Sequence, residues 1–514
     1  MIIDKPKIIH HLKVIGFFAF LTVIYFIPYV PLHKIVHHMF HGDALQHAWA
    51  PEWCCHALFS ADRIFDANIL APLPHSLAYS EGDFGVGVQS LLLWPFSQNA
   101  VLNFNLLMYF SFIAAGYGTY LLFREILPKS VFGALFAGVV YSFCCFRGWR
   151  VVGHLTILQG HWIPFIALFL IRSFKKPGWK NVVPFGVFTL LIFLSNFYLV
   201  VITAIFIGAF TVLFFLMKGD RLSWKHGYIL VAFGVATLLL LPFVVPYFQI
   251  QEERFNIIDD LNPFNADFGG YFLPLDYNAR YSTVLSSVFQ KFGLKKKHIH
   301  ENTQFVGYLV ILLALFRSVF LVVGRFRRKE FTRGEKIELS MLGCAILFSV
   351  LSLGPSLWWG DRIVFLRMPY YYLYKIFPQI RFMRVTARFG MIVTLAAAIL
   401  GGAGMAMLLE RMKKRSFQMV LFLLITAWTF GAEYLHIGDF PLYRASNNPV
   451  FEYLEKEKKE GREYNVLVLP APNRRAILNS TYHWQNVMAG NHYPGNYRSD
   501  LLSFEDAKPE VPFL

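Results

Sequence analysis

The chain has 514 residues, of which 56% are hydrophobic and only 16% charged, and its mean hydropathy is +0.46. A soluble protein of this length needs far more charge, so composition points to an all-α polytopic membrane protein. The net charge of +16 does not indicate a nucleic-acid partner, because the basic residues fall mainly in short loops between apolar runs.

A helix that crosses the hydrocarbon core needs about 20 apolar residues. The first such run, 14–31, has no small-residue cleavage site after it and reads as a retained anchor. Segment 32–102 follows and contains "HGDALQHAW" (41–49), where Asp43 and His47 share a face if 43–58 is helical. Asp43 can take a proton from an attacking hydroxyl or amide, ligate a divalent cation, pair with an arginine or cap the helix. Gln46 and His47 stand beside it as polar contacts, and Gly42 lets the backbone turn. "SLAYSEGDFG" (76–85) sets Glu81 and Asp83 two apart. Such carboxylates can share a metal, but a solvated loop is the simpler reading. "GVGVQSLLLWPFSQ" (85–98) is short, is broken by Pro95, and reads as an interfacial or re-entrant helix.

Further apolar runs lie near 103–124, 131–147, 155–173, 181–195, 197–217, 228–247, 304–324, 338–357, 385–409 and 417–435, which makes about 11 transmembrane helices. "SNFY" (195–198) predicts a tight turn between the fifth and sixth. With the N-terminus cytoplasmic, the inside segments collect Lys175, Lys176 and Lys180, "GRFRRKEFTRGEK" (324–336) and "ERMKKR" (410–415), as the positive-inside rule expects. Segments 32–102, 248–303 and the tail 436–514 then face outward, beside a transmembrane domain spanning 1–435. The tail predicts a helix over 448–461 stopped by Gly461 and a buried strand over 464–470, a small α/β appendage.

The outward segment 358–388 breaks the charge rule, with Arg381, Arg384 and Arg388 among its cations; Arg147 and Arg150 sit likewise at an outer helix end. Guanidinium forks bind phosphate oxygens through paired, charge-assisted hydrogen bonds. A lipid-linked phosphate suits them, while headgroup contact or pairing with the acids of 32–84 is the plainer alternative. "RGWRVVGHLTILQGHW" (147–162) places His154, Gln159 and His161 at the outer mouth of the next span. His154 can contact a hydroxyl or phosphate, or be a satisfied interfacial residue. The five cysteines show no CxxC or zinc-ligand spacing and read as small apolar filler. His37, His38, His298 and His300 make no metal motif, and no GxxxxGK[ST] phosphate loop occurs.

Several phrases, in this order, resemble those of bacterial membrane proteins of the GT-C superfamily. They are "GDALQHAW" (42–49), "NILAPLPHSLAYSEGDFG" (68–85), "NFNLLMYFSFIAAGYGTYLLFREIL" (103–127), "AGVVYSFCCFRGWRVVGHLTILQGHWIPF" (137–165), "FPQIRFMRVTARFG" (377–390) and "YHWQNVMAGNHYPG" (482–495). The resemblance implies a polytopic glycosyltransferase of the bacterial cytoplasmic membrane. It would take a polyprenyl-phosphate-linked sugar as donor and a glycan, lipid or protein as acceptor, and invert configuration at the outer face. By the same resemblance Asp43 is the catalytic base and Glu81 the second acid, with Asp83 beside it. His154, with His47, Gln46 and Gln159, would contact substrates, and Arg147, Arg150, Arg381, Arg384 and Arg388 would hold the donor phosphate. A divalent cation, Mg or Mn, is the candidate cofactor. Related sequences often carry His where this one has Gly82. The rival readings are a transporter or flippase, or a non-catalytic binder, of a lipid-linked glycan. The spans read as nearly free of ionisable residues and without internal repeats, which disfavours a conduit.

Overall fold

In the computed structural model the chain is an all-α polytopic membrane protein. The structure describes residues 5–27, 32–33, 35–37, 43–60, 62–217, 222–250, 264–266, 269–273, 300–302, 304–327, 331–359, 362–435, 442–444, 449–466 and 474–487. The expectations placed on Gly42, His38, His298, most of 248–303 and the tail beyond 487 lie outside these residues.

Every predicted apolar run contains a helix. In chain order these are α1 (Lys5–Phe26), α2 (Asp43–Ser60), α3 (Phe84–Ser90), α4 (Ala100–Ile126), α5 (Val131–Phe143), α6 (Cys145–Arg150), α7 (Leu155–Leu158), α8 (Ile163–Lys175), α9 (Trp179–Phe193), α10 (Phe197–Leu216) and α11 (Gly227–Gln249). Then come α12 (Tyr308–Arg327), α13 (Arg333–Ser352), α14 (Pro369–Ile376), α15 (Gly390–Glu410), α16 (Arg415–Trp428), α17 (Pro449–Lys459) and α18 (Arg474–His483). Among the described residues, 8 helical stretches are long and apolar enough to cross a membrane, and Trp179–Phe193 and Tyr308–Gly324 are shorter apolar helices. The eleventh predicted span, α13, carries Glu335, Lys336 and Glu338 in its first two turns. It leaves the helix at Ser352, so 353–357 turn away into a strand where a span was expected.

Helix starts follow from local chemistry. Asn99, Ser130, Asn196 and Thr332 each accept a hydrogen bond from a first-turn amide, satisfying donors the helix leaves open. Thr332 and Glu335 close a reciprocal capping box. In the bundle interior α15 is buried on nearly every side. There Gly133 of α5 faces Gly402 of α15 so closely that a Cβ on Gly133 would lie 2.7 Å from the Gly402 carbonyl. Small residues permit this backbone approach, the usual basis of helix association in lipid. α1 and α11 instead expose Leu12, Phe20, Leu230, Leu238 and Phe248, an apolar surface suited to acyl chains.

One expectation about the spans is corrected. Arg317 of α12 and Glu338 of α13 form a buried two-pronged ion pair, at 2.6 and 2.8 Å. A charge in such a place persists because its partner and geometry offset the loss of water.

The strands are short. β1 (Ile35–His37) pairs antiparallel with β4 (Leu442–Arg444), joining the segment after α1 to the segment after α16. β2 (Ser356–Trp359) and β3 (Arg362–Leu366) form a hairpin. β5 (Asn465–Val466) and β6 (Asn486–Val487) run parallel, and Ile69 extends that pair through a bridge to Val487. The tail is thus docked on segment 62–80. Asn68 accepts from Trp49 Nε1 at 3.1 Å and donates to the Gln485 carbonyl at 3.2 Å, while Trp484 stacks on His56. The predicted helix at 448–461 is α17, and Gly461 beyond it has φ +79°, the left-handed turn that favours glycine.

Candidate functional site

The site is built where α2 meets the loop entering α3. Asp43 is the first residue of α2, which places its carboxylate in the first turn, where the helix dipole favours negative charge. One turn on, Gln46 and His47 are buried against segment 80–83. Gln46 Nε2 donates to Ser80 Oγ. His47 Nδ1 donates to Asp83 Oδ2 at 2.6 Å, with both side chains enclosed.

The expected solvated loop at 81–83 is therefore corrected: Asp83 is 2% exposed. Asp83 also adopts φ 49°, and Leu70 and His75 upstream share that left-handed conformation. Non-glycine residues are held there only where surrounding contacts over-determine them. A Cβ on Gly82 would run into the Phe84 ring, so the histidine of related sequences has no room here.

Glu81 is fixed by two residues from distant spans. Asn196, the cap of α10, donates to Glu81 Oε2 at 2.9 Å, and Thr156 Oγ1 donates to the same oxygen at 3.2 Å. The Asn196 side chain also donates to Thr156 Oγ1 at 3.2 Å. Sequence reasoning missed both residues. The signal available was the "SNFY" turn, where a polar cap faces the end of the bundle.

Electrostatics follow from burial. Desolvation works to lower the His47 pKa, but the Asp83 charge and hydrogen bond, helped by Glu81 and Asp43, raise it to about 9. Burial pushes Asp83 up, and His47 pulls it back, leaving it at about 6. At neutral pH the two form an imidazolium–carboxylate pair. The ligating atoms of His47, Glu81 and Asp83 lie within 4.8 Å of one another. Asp83 Oδ1 is buried without a hydrogen-bond partner among the described residues. One imidazole and two carboxylates, with an orphaned carboxylate oxygen, fit a divalent cation that accepts mixed nitrogen and oxygen ligands.

A cleft of about 980 Å³, counting its open mouth, adjoins this cluster. One wall is Ser80–Phe84, and a second is the α9–α10 turn, including Asn196 and Tyr198. Leu240, Phe243 and Tyr247 of α11 form an apolar side, and Arg384 closes the remaining edge. The cleft therefore brings Glu81, Asp83 and a guanidinium to one hollow. Asp43 does not line it, yet its charge reaches His47. The turn after α6 packs on the α2 N-terminus: Gly153 has φ +150°, and a Cβ there would lie 3.1 Å from the Ala44 amide nitrogen.

The other arginines fall elsewhere. Arg147 is enclosed and donates to the carbonyls of Ser142, Leu158 and Ser111 at 3.3, 3.0 and 3.0 Å. Its guanidinium ties backbone together rather than lining the cleft. Arg381 lies over the Tyr374 ring. Gln159 is fully buried and accepts from Gln89 Nε2 at 2.6 Å, fastening α3, so it too is away from the hollow. Arg150, His154 and Arg388 gather on Glu301, a residue that sequence reasoning did not single out. All five cysteines are buried free thiols, as expected of filler.

Among solved structures, the chain is similar to the Archaeoglobus fulgidus oligosaccharyltransferase, crystallised with Zn and sulfate, at 10% identity and a TM-score of 0.38. The match covers 93% of this chain and 62% of that one, so this chain spans less than two thirds of that protein's length, and a likeness at this score carries no argument. No curated protein matches the sequence. The model of a family described as a domain of unknown function (DUF6311) matches residues 14–429, and this chain belongs to that family.

Proposed function

We propose that this protein is a GT-C-type membrane glycosyltransferase that moves a sugar from a polyprenyl-phosphate donor to a glycan, lipid or protein acceptor, with inversion. The observation that carries the reading is the cleft in which Glu81 and Asp83 face Arg384 beside an apolar wall. Such a hollow offers one surface for an isoprenoid chain, a cation for its phosphate and carboxylates for an incoming hydroxyl.

In this reading Phe243, Leu240 and Phe197 take the first isoprenoid units, and Arg384 holds the phosphate. Asp43, at the cleft's rim, orients the acceptor and takes its proton as the acceptor oxygen bonds to the anomeric carbon. The bond from that carbon to the phosphate oxygen breaks, and its electron pair leaves on the lipid phosphate, where Arg384 stabilises the charge. Glu81, held by Asn196 and Thr156, keeps a fixed carboxylate beside the reacting centre. His47, Glu81 and Asp83 would hold a divalent cation, which when bound supplies positive charge beside the leaving phosphate. The active face is extracytoplasmic in a bacterial cytoplasmic membrane, because the basic loops after α8 and α15 lie at the opposite end of their helices from the cleft.

The test uses membranes containing the full chain and a panel of tritiated undecaprenyl-phosphate hexoses. Wild type is expected to release undecaprenyl phosphate and transfer label. Asp43→Asn should lose turnover by about 10²-fold or more while retaining donor binding. A conduit would carry donor unchanged in that variant. Wild-type membranes that transfer no hexose of the panel, or equal transfer by Asp43→Asn, Glu81→Gln and Arg384→Ala, overturn the reading.

A further inference from the structure

Beyond the cleft, three cationic side chains from three separate segments meet on one carboxylate. Arg150 Nη2 lies 3.1 Å from Glu301 Oε2, His154 Nε2 lies 3.1 Å from Oε1, and Arg388 Nη2 lies 3.3 Å from Oε1. Arg150 is fully enclosed, Arg388 nearly so, and the Glu301 side chain is 13% exposed. Two guanidiniums thus share a single negative charge, and a positive charge remains enclosed even when His154 is neutral. An enclosed charge without a counter-charge is costly, so this arrangement has room for more negative charge than Glu301 supplies. His154 Nδ1 and Arg388 Nε are also buried without a hydrogen-bond partner among the described residues.

We infer that Arg150, His154 and Arg388 form a phosphate-binding site in which the Glu301 carboxylate stands in for the anion and yields to it. A phosphate brings up to two charges and three acceptor oxygens, against one charge and two oxygens for the carboxylate. The backbone does not have to move for the exchange. Arg150 Nη2 also donates to the Glu301 carbonyl at 3.2 Å, and nearby Gln304 is tied to the carbonyls of Ala387 and Gly270 at 2.7 and 3.0 Å. Rotation of the Glu301 side chain toward its exposed side is enough. The site borders the cleft, since the Arg388 guanidinium stacks 4.4 Å from the centre of the Tyr198 ring, and Tyr198 lines the hollow. Glu301 is then an internal competitor that sets how tightly phosphate is held. The transferase reading enters only in assigning the natural ligand to a polyprenyl phosphate.

The experiment uses the purified full chain in detergent, with inorganic phosphate and sugar-free dodecyl phosphate as probes. Dissociation constants come from calorimetry and unfolding midpoints from thermal scans. Glu301→Gln removes the competing charge, and it should bind dodecyl phosphate about tenfold more tightly than wild type. Its unliganded midpoint should be lower, and the probe should restore it. Glu301→Asp, which keeps the charge at shorter reach, should fall between the two and serves if the glutamine variant does not fold. A gain confined to dodecyl phosphate identifies a lipid headgroup site, and an equal gain with inorganic phosphate identifies a free phosphate site. Unchanged affinity for both probes, or a lowered midpoint that neither restores, makes Glu301 a structural counter-ion and overturns the inference. The transferase reading fails separately, if the phosphates bind as expected and no hexose is transferred.

Discussion

His47 and Asp83, 36 residues apart in the chain, are joined by a 2.6 Å hydrogen bond inside the protein. That contact fastens the first turns of α2 to the strained loop before α3, and it gathers a nitrogen and two carboxylates at one point. Purified protein is expected to bind Mn²⁺ at a single tight site, read by loss of the free-ion signal in electron paramagnetic resonance. Asp83→Asn and His47→Ala should each weaken binding by about 10–100-fold. Binding that neither substitution alters would remove the metal centre from consideration.

Glu52 makes the pH dependence of stability testable. It is 1% exposed in α2 and accepts from Ser90 Oγ at 2.7 Å and Asn103 Nδ2 at 3.0 Å. Burial raises its pKa to about 7, against the lowering effect of those bonds. A carboxyl raised on folding contributes stability that is fully present below its unfolded value of 4.5 and is lost as pH rises through about 7. The loss is roughly 3 kcal/mol at most. Thermal midpoints in detergent should therefore fall between pH 5 and 8 in wild type. They should stay level in Glu52→Gln, apart from changes common to both proteins.

Arg147 and Arg384 should separate cleanly in a paired measurement. Arg147→Met strips hydrogen bonds from the carbonyls of Ser111, Ser142 and Leu158 in the bundle interior. The expected cost is about 2–4 kcal/mol, seen as a lowered midpoint or lost expression. Arg384→Met, at the edge of the cleft, should leave the midpoint near wild type and weaken donor binding. A normal midpoint for Arg147→Met contradicts the structural role given to it here.

Gly153→Ala tests the seat of Asp43. The residue's φ of +150° disfavours any side chain, and its new Cβ would press on the Ala44 amide at 3.1 Å. Strain of about 1–3 kcal/mol is expected, relieved in part by moving the start of α2. Transfer should fall more than thermal stability does. An unaffected rate would show that the position of Asp43 is not critical.

The tail is expected to depend on one side chain of the loop it covers. Asn68→Ala deletes the bonds to Trp49 and Gln485. Hydrogen exchange over 474–487 should accelerate, with a stability loss of about 1–2 kcal/mol. Unchanged exchange there would mean that the Trp484–His56 stack and the β5–β6 pairing suffice.

Much of the helical framework was legible because it rests on local properties. Apolar length, the Asn99, Ser130 and Asn196 caps and the "SNFY" turn all act within a few residues of where they are written. The acidic loop was misread for the opposite reason. "SEGD" resembles any solvated turn until α2 supplies His47 and the spans supply Thr156 and Asn196. The arginines show the same limit. Five looked alike as phosphate ligands, but Arg384 lines the cleft, Arg147 is committed to backbone carbonyls, and Arg150 and Arg388 share Glu301.

By itself the amino-acid order determined that this protein lives in a membrane, how many apolar helices it builds and where they begin and end. Lipid satisfies no backbone polar group, so each segment must close its own hydrogen bonds, and that requirement is met within the segment. Only tertiary structure decided which ionisable groups leave water together. Desolvation and pairing depend on distances between parts of the chain far apart in sequence, and those distances exist only once the helices have packed.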